Sequence, residues 1–213
     1  MKIQSMISKM FIMATLAMST NCYCYALDET TGIWQGKDIG CAHMFDPSLA
    51  QGISQFFIEE KAESVVDLGC GMGIYTMMLK SYGLNCDGFD GNPDTPIVTG
   101  GVCQVQPLHV SFDLDKQYSW VMCLEVGELV PAEFEDTFIE NLVNHAKDGI
   151  LLSWAVVGQS GWGHVNCQNN DYIRACIESY DFESDFEAEE SLRAQATTCG
   201  HFKDTIMVFR KVK

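Results

Sequence analysis

The chain has 213 residues, and 47% of them are hydrophobic, which is enough for a sizeable core within one domain. It carries 29 acidic and 13 basic residues, for a formal net charge of −16 at pH 7. A surface of this sign repels phosphate backbones, so nucleic acids and anionic membranes are unfavourable partners. A small molecule or a cationic group is the ligand class that the charge favours.

The first 26 residues have the pattern of a secretory signal peptide. A basic start precedes an apolar run over residues 10–18, which is shorter than the roughly 20 residues a helix needs to span a bilayer. Cys24 and Ala26 place small residues at the two positions that determine cleavage after Ala26. We therefore expect a mature chain that begins at Leu27, lies in the secretory pathway or outside the cytoplasm, and has no stable membrane insertion. The alternatives are an uncleaved anchor, an organelle-targeting peptide or a mis-assigned start codon, which would allow a cytoplasmic or organellar protein.

Eight of the ten cysteines follow the predicted signal segment, which itself contains Cys22 and Cys24. Cys70 and Cys123 fall at positions predicted to be buried, where cysteine acts as a small hydrophobe. The candidates for disulfide pairing in an exported chain are Cys41, Cys86, Cys103, Cys167, Cys176 and Cys199, with connectivity left open. Because the chain has no C-x-x-C pair, the sequence gives almost no support for a zinc or iron–sulfur site.

Two features precede the first strand of the predicted sheet. Residues 27–46 form a glycine- and aromatic-rich lead, which we expect to lie over the sheet as a lid or cap and not to form regular structure. After Pro47, apolar residues recur at three- and four-residue steps, which predicts an amphipathic helix that covers the sheet. The catalytic or binding domain is therefore predicted to span residues 47–213.

Residues 64–93 predict one uninterrupted strand, tight turn, helix and second strand. Val65 and Val66 are typical of a central parallel strand covered on both faces, and that strand ends at Asp67. Glycines at every second position, Gly69, Gly71 and Gly73, then let the backbone turn sharply and let a ligand approach closely. The following helix, predicted over 75–82, directs its free N–H groups at this turn, which suits an anionic ligand group.

The second strand of this unit ends at Asp90, about 20 residues after Gly71, the interval at which an acidic residue meets ribose hydroxyls in nucleotide-binding units. A dinucleotide fingerprint would need glycine or alanine at position 74, where Ile74 stands. The run D-L-G-C-G-M-G over 67–73 instead resembles motif I of the class I S-adenosylmethionine-dependent methyltransferases, D/E-x-G-x-G-x-G. Phe89-Asp90 resembles their second motif. The alternative is a glycine turn that only serves a tight connection, with a solvated Asp90.

The resemblance covers nearly everything after residue 45 and implies S-adenosylmethionine as the cofactor, without a metal. In that family the glycine turn passes under the methionine part, the acid after the second strand binds both ribose hydroxyls, and an N-terminal segment often closes over the cofactor. The residues that the resemblance assigns to the cofactor are Asp67, Gly69, Cys70, Gly71, Gly73, Asp90, Gly91 and Glu125. The family's usual adenine-binding aspartate after the third strand, predicted here over 102–105, is missing, and Gln104, Gln106 or Asp113 stand in its place.

Glu125 follows the predicted strand 120–124, which should lie next to the first strand of the sheet. The segment L-E-V-G-E-L over 124–129 resembles the E-V-x-E-H-[IL] segment of small-molecule methyltransferases, except that Leu129 stands where histidine is frequent. The resemblance places Glu125 in the cofactor or substrate pocket, and the alternative is a surface acid. The absence of an Asn- or Asp-Pro-Pro-Tyr motif here argues against methylation of nucleic-acid bases.

The loop over 158–166 is the second stretch that carries chemistry. It follows a strand predicted over 150–155, and its glycine and polar residues cannot form a core. Such a loop leaves the edge of the sheet where ligands bind in open α/β folds, so Trp162 could face a substrate and His164 could act as a general base. The alternative is a loop histidine bonded to the backbone, with Glu125 as the catalytic group.

The remaining elements complete the predicted fold. We expect a helix from Pro131 to Asp148-Gly149, a helix over 171–177, and a final hairpin of strands over 182–189 and 205–212, with the acidic run at 187–190 as its solvated end. The fold class is α/β, a Rossmann-like three-layer sandwich whose seven-stranded sheet is mostly parallel with an antiparallel last strand.

The expected function is methyl transfer from S-adenosylmethionine to a small-molecule acceptor, with His164 and Glu125 as catalytic candidates. The alternatives are a secreted S-adenosylmethionine-binding protein or pseudoenzyme of the same fold, or another transferase that uses a related cofactor. Neither the acceptor nor the oligomeric state follows from the sequence.

Overall fold

The computed structural model describes residues 25–41 and 43–213. Residues 1–24 of the predicted signal segment, with Cys22 and Cys24, lie outside the described residues. Within the described part of the chain, no helix is long and apolar enough to cross a membrane.

A seven-stranded sheet forms the centre of the molecule, with the strand order β5–β4–β3–β6–β7–β9–β8. A separate antiparallel hairpin of β1 and β2 precedes it. The strands are β1 (Tyr25–Asp28), β2 (Ile33–Gly36), β3 (Val65–Leu68), β4 (Cys86–Asp90), β5 (Gln104–Val105), β6 (Tyr118–Leu124), β7 (Ala146–Ser153), β8 (Phe182–Ser184) and β9 (Ile206–Lys211). The first five strands of the sheet pair in parallel, whereas β9 runs antiparallel to both β7 and β8. The predicted fold class is confirmed.

Helices cover both faces of the sheet. They are α1 (Pro47–Glu59), α2 (Ile74–Ser81), α3 (Thr95–Val98), α4 (Glu135–His145), α5 (Asn170–Glu178), α6 (Phe186–Gln195) and α7 (Phe202–Thr205), with short 3-10 turns at Ile39–Cys41, Gly127–Leu129 and Ala132–Phe134. Apolar residues of α1, α2 and α6 form one core with the sheet, and those of α4 and α5 form the other. The result is a three-layer sandwich.

The central strand β6 shows why this sequence needs two helical layers. Trp120 and Met122 belong to the core under α1 and α6, while the alternate residues Val121 and Cys123 belong to the core under α4. Successive side chains of a strand point to opposite faces, so a strand with consecutive apolar residues over 120–124 has to be buried on both sides.

The predicted boundary between the helix that starts at Pro131 and the following strand is wrong. The helix predicted to end at Asp148-Gly149 stops at His145, and the strand predicted over 150–155 is β7, which begins at once with Ala146. The His145 ring holds this end in place, because its Nδ1 lies 2.7 Å from the Asn141 carbonyl and its Nε2 accepts the Leu114 N–H at 3.1 Å.

The outward strand predicted over 182–189 is also wrong beyond Ser184. Residues 186–195 form helix α6, and the Asp185 side chain caps its start by accepting the Ala188 N–H at 3.0 Å. The acidic run is therefore not the solvated end of a strand. Glu189 is buried, and both of its oxygens accept bonds from the Arg174 guanidinium at 2.6 Å.

The N-terminal lead contains more regular structure than predicted, since residues 25–36 form the β1–β2 hairpin. Tyr25 and Ala26 pair with Gly36 and Gln35, so the predicted cleavage after Ala26 would remove half of β1.

The seven cysteines whose side chains the structure describes are all free thiols: Cys70, Cys86, Cys103, Cys123, Cys167, Cys176 and Cys199. No disulfide therefore joins the candidate pairs among them, and the side chain of Cys41 lies outside the description.

A single buried residue, Asp46, joins the lead to three other parts of the fold through its carboxylate and its backbone N–H. Its Oδ1 accepts the N–H groups of Ser48 and Leu49 at 3.1 Å, which caps α1. Its Oδ2 accepts three more N–H groups, from residues 197–199 in the connection between α6 and α7, at 2.7–2.9 Å. The Asp46 N–H donates to the Tyr75 hydroxyl in α2 at 3.2 Å.

We expect Asp46→Ala to lower the free energy of unfolding by about 2–4 kcal/mol, because it removes a helix cap and leaves buried N–H groups without an acceptor. Urea denaturation measures the change. Asp46→Asn keeps one acceptor oxygen, so its free energy of unfolding should fall by less than that of Asp46→Ala. Ser48→Ala removes only a hydroxyl contact to Thr197 and serves as the matched control. A loss in Asp46→Ala no larger than that of Ser48→Ala would contradict this role.

Candidate active site

A cavity of about 380 Å³ opens at the carboxyl ends of β3 and β6, within the size range of ligand sites. Five parts of the chain line it: the lead, the glycine turn with the start of α2, the segment after β6, the loop after β7 and the start of α7. In open α/β sheets this edge is where ligands bind.

The cavity is acidic and aromatic. Its walls include the carboxylates Asp67, Glu125 and Glu128. The histidines are His43, His164 and His201, and the aromatic rings are Trp34, Phe45, Tyr75, Trp162 and Phe202. Among the described residues that line the cavity, none is lysine or arginine. Aromatic faces and carboxylates together suit organic cations.

Asp67 lies at the end of β3 and is only 3% exposed. Burial raises the pKa of its carboxyl to about 7, although the Thr76 hydroxyl donates to it at 2.6 Å and opposes the shift. Repulsion from Asp90 adds to the increase in pKa. Among the described residues, Asp67 has no cationic partner that would oppose this increase in pKa.

The glycine turn has the left-handed backbone that its residues predict. Gly69, Gly71 and Gly73 have φ values of 86°, 52° and 69°. Asp90 binds this turn, because its Oδ2 accepts the Gly71 N–H and its Oδ1 accepts the Asn92 N–H, both at 2.8 Å. The two ends of the β3–α2–β4 unit are thereby joined at the sheet edge.

The N-terminal lead covers part of the predicted cofactor site. A Cβ built on Gly71 would lie 2.4 Å from the His43 ring, and one on Gly91 would lie 2.8 Å from Ile33. The Asn92 amide also donates to the Gly36 carbonyl at 2.8 Å.

The structure therefore divides the predicted site residues into two groups. Asp67, Gly69, Cys70, Glu125 and His164 line the cavity. Gly71, Gly73, Asp90 and Gly91 lie outside the cavity lining: the lead covers Gly71 and Gly91, and Gly73 packs against Thr99 and Cys103.

Glu125 lies in a strained position at the end of β6. Its φ is 53°, a left-handed value that is rare for a residue with a side chain. Its N–H donates to the Ser153 hydroxyl at 2.9 Å, and its Oε2 accepts the Gln159 amide at 2.6 Å, with His201 Nε2 at 3.9 Å. Its Oε1 is buried and has no hydrogen-bond partner among the described residues. A backbone outlier with an unsatisfied carboxylate oxygen is typical of a ligand site.

Glu128 is the acid that the sequence analysis did not select, although it lies in the same segment as Glu125. Its side chain is 1% exposed, and its Oε2 accepts the Ala155 N–H at 3.3 Å. Burial raises the pKa of its carboxyl well above the ordinary range, and Glu125 adds repulsion. The segment over 124–129 that resembles the methyltransferase motif contains this glutamate, so the resemblance could have identified it as a pocket residue.

His164 has the backbone contact of one interpretation and the position at the cavity that the other requires, and its role as a general base stays a prediction. Its Nδ1 lies 3.3 Å from the Gln159 carbonyl and 3.6 Å from Cys167 Sγ, while its Nε2 lies 4.0 Å from Glu128 Oε1. When the Nδ1–H donates to the Gln159 carbonyl, Nε2 is unprotonated and its lone pair lies on the side of Glu128. His164 is thus bonded to the loop backbone and also lines the cavity.

Other lining residues escaped the sequence analysis because they come from distant parts of the chain. Trp34 of β2 packs edge-on against Trp162 with ring centroids 5.2 Å apart, which joins the hairpin to the His164 loop. His201, at the start of α7, reaches the cavity beside Glu125. In the described part of the chain, no three histidine, cysteine or acidic side chains are arranged to hold a metal ion.

Comparison with known proteins gives matches in structure only. No protein-family profile and no curated protein matches the chain. Among solved structures, it resembles magnesium protoporphyrin IX methyltransferase from Synechocystis PCC 6803 with bound S-adenosylhomocysteine (SAH), at a TM-score of 0.59 and 17% identity over 76% of this chain and 81% of that one.

Two further solved structures show the same likeness. An S-adenosylmethionine-dependent methyltransferase from Clostridium acetobutylicum ATCC 824 has a TM-score of 0.62 and 9% identity over 81% of this chain and 94% of that one. A sugar N-methyltransferase from Streptoalloteichus sp ATCC 53650 has a TM-score of 0.61 and 12% identity over 79% and 89%. The chain therefore has the class I S-adenosylmethionine-dependent methyltransferase fold, and the resemblance inferred from the glycine turn is confirmed for the fold.

The buried Asp67 makes a prediction about stability and pH. Because its pKa is about 7 in the folded protein against 3.8 ordinarily, the folded state holds an extra proton between about pH 4 and pH 7. The free energy of unfolding should therefore fall as pH rises through this window and stay level above it. Across this pH window, the free energy of unfolding of the wild type should fall by on the order of 2–4 kcal/mol relative to that of Asp67→Asn, which cannot titrate at this position.

Denaturation curves at half-unit pH steps measure this difference, with Asp113→Asn as a control at an exposed acid. The pH profiles of Asp113→Asn and wild type should coincide. A profile of Asp67→Asn parallel to that of the wild type would show that Asp67 is ionised throughout.

Proposed function

We propose that this protein transfers a methyl group from S-adenosylmethionine to a small-molecule acceptor. The observation that carries the proposal is the cavity itself, which joins Gly69 and Cys70 of the glycine turn to Glu125 at the carboxyl edge of the sheet. The fold is one that solved methyltransferases share, and one of these contains SAH. Fold alone does not define an activity, so the chemistry of the cavity has to support it.

The residues present fit this cofactor. Its ammonium and sulfonium groups are cationic and would lie near the carboxylates of Asp67 and Glu125. Within the described part of the chain, Glu125 Oε1 has no hydrogen-bond partner and could accept from the ammonium. The first turn of α2 would receive the methionine carboxylate. The Asp90 carboxylate accepts one N–H on each oxygen and keeps lone pairs for ribose hydroxyls. His43 and Ile33 would have to shift to open Gly71 and Gly91.

The bound cofactor would supply a methyl group already activated by its sulfonium. The protein's part is to hold the acceptor in line with that methyl group and to exclude water, which the aromatic walls serve. The proton of the acceptor then needs a base. Nε2 of His164 faces the cavity side of its loop and is the proposed base, while Glu125 is the alternative group.

The first test concerns the cofactor. We expect isothermal calorimetry to show binding of S-adenosylmethionine and SAH, and we expect Asp90→Ala to weaken it by about 1.5–3 kcal/mol, because a charged acceptor of ribose hydroxyls is lost. Asp90→Asn keeps an acceptor oxygen, so its affinity for the cofactor should lie between those of the wild type and Asp90→Ala. Thermal melts check that each variant is folded. Unchanged affinity in a folded Asp90→Ala protein would remove Asp90 from the site, and no binding by the wild type would remove the proposal.

The second test concerns the base. We expect His164→Ala to lower turnover by about 10²–10⁴-fold and to leave cofactor affinity nearly intact, because a base acts on the acceptor. An acceptor is first identified by screening a metabolite extract for methylation. Turnover is then measured as the rate of SAH release in the presence of that acceptor. Cys167→Ala is the matched control, since Cys167 touches His164 but does not line the cavity. A parallel loss of affinity would assign His164 to the cofactor, and full activity would transfer the role to Glu125.

A further inference from the structure

We propose that the acceptor is a small amine without an anionic group, which binds as a cation beside Glu128 and His164. This inference rests on the proposed function and narrows its substrate class. It comes from the charge distribution and the aromatic walls of the cavity.

The first step excludes anionic acceptors. With the first turn of α2 occupied by the cofactor's own carboxylate, a carboxylate or phosphate of the acceptor would meet three acids, Asp67, Glu125 and Glu128, without a lysine or arginine among the described lining residues to offset them. The ion pairs of the described lysines and arginines lie elsewhere: Lys116 with Asp87, Arg174 and Arg193 with Glu189, and Arg210 with Glu60 and Asp185. Placing a further negative charge among partly desolvated carboxylates is strongly unfavourable.

The second step favours a cation over a neutral acceptor. The cofactor carries one carboxylate against its ammonium and sulfonium, so it brings a net charge of about +1 to a cavity with three acids. Glu128 lies beyond Glu125 along the chain, on the side of the His164 loop, where its Oε1 is 4.0 Å from His164 Nε2. Burial raises the pKa of Glu128, whereas an ammonium between this oxygen and the ring nitrogen would favour the ionised carboxylate and donate to both atoms.

The third step comes from the aromatic walls. Trp34 packs edge to face against Trp162 of the His164 loop, and Phe45 and Tyr75 form a second edge-to-face pair with centroids 5.1 Å apart. Rings that line an acidic cavity attract a cation through their faces and also bury an apolar body. An amine on a small hydrocarbon or aromatic frame satisfies both requirements.

The chemistry balances with the groups at hand. The ammonium gives one proton to Nε2 of His164, which frees the nitrogen lone pair. That lone pair forms the new N–C bond to the methyl carbon while the C–S bond breaks and its electron pair stays on sulfur. The products are the methylated amine and the neutral thioether, and His164 returns its proton to solvent.

The test compares three probes with one body and different head groups: phenethylamine, 2-phenylethanol and 3-phenylpropionate. Calorimetry of the SAH-saturated protein gives their affinities, and mass spectrometry after incubation with S-adenosylmethionine detects methylation. We expect the amine to bind at least about 10-fold more tightly than the alcohol, the carboxylate to bind most weakly, and methylation to occur on the amine alone.

The variant Glu128→Gln should reduce the preference for the amine over the alcohol to less than about threefold. Glu133→Gln is the matched control, because it makes the same substitution at an exposed position that follows the segment after β6. It should leave the preference for the amine over the alcohol unchanged. If SAH binds but the alcohol or the carboxylate binds as tightly as the amine, or none of the three binds, the inference is overturned while the proposed function stands. Failure of SAH itself to bind would remove both.

Discussion

The carboxylate of Asp46 joins two walls of the cavity that lie far apart in the sequence. Five backbone N–H groups converge on it from two parts of the chain about 150 residues apart, as Thr197, Thr198 and Cys199 show. Phe45 precedes Asp46 and His201 follows that connection, and both line the cavity. A charged acceptor shared by a helix cap and a distant loop thus sets the distance between two walls.

The same cavity places acids where folding alone would not favour them. Asp67 and Glu128 are almost completely buried, and neither has a lysine or arginine partner among the described residues. Burial of a carboxyl group without a cation raises its pKa and weakens the fold at neutral pH. A ligand that carries positive charge would reverse this penalty, so occupation of the cavity should also stabilise the protein.

The parts of the fold that sequence predicts well are those with local causes. The β3 strand, the glycine turn and Asp90 follow from adjacent residue types, because an apolar strand, left-handed glycines and a helix start are short-range features. Glu189 could not be placed in this way, since its burial depends on Arg174 in another helix. Glu128 likewise becomes a cavity acid only through the loop residues Val165 and Asn166, which bond its carbonyl at 2.9 Å.

The left-handed backbone at Glu125 has a consequence for protein engineering. Glycine at this position would relieve on the order of 1 kcal/mol of strain, whereas alanine would keep the strain and lose the carboxylate. A campaign that ranks variants by melting temperature alone would therefore select glycine at position 125. The heat-resistant protein so obtained would lack the carboxylate nearest the end of β6, so thermal tolerance and activity have to be screened together.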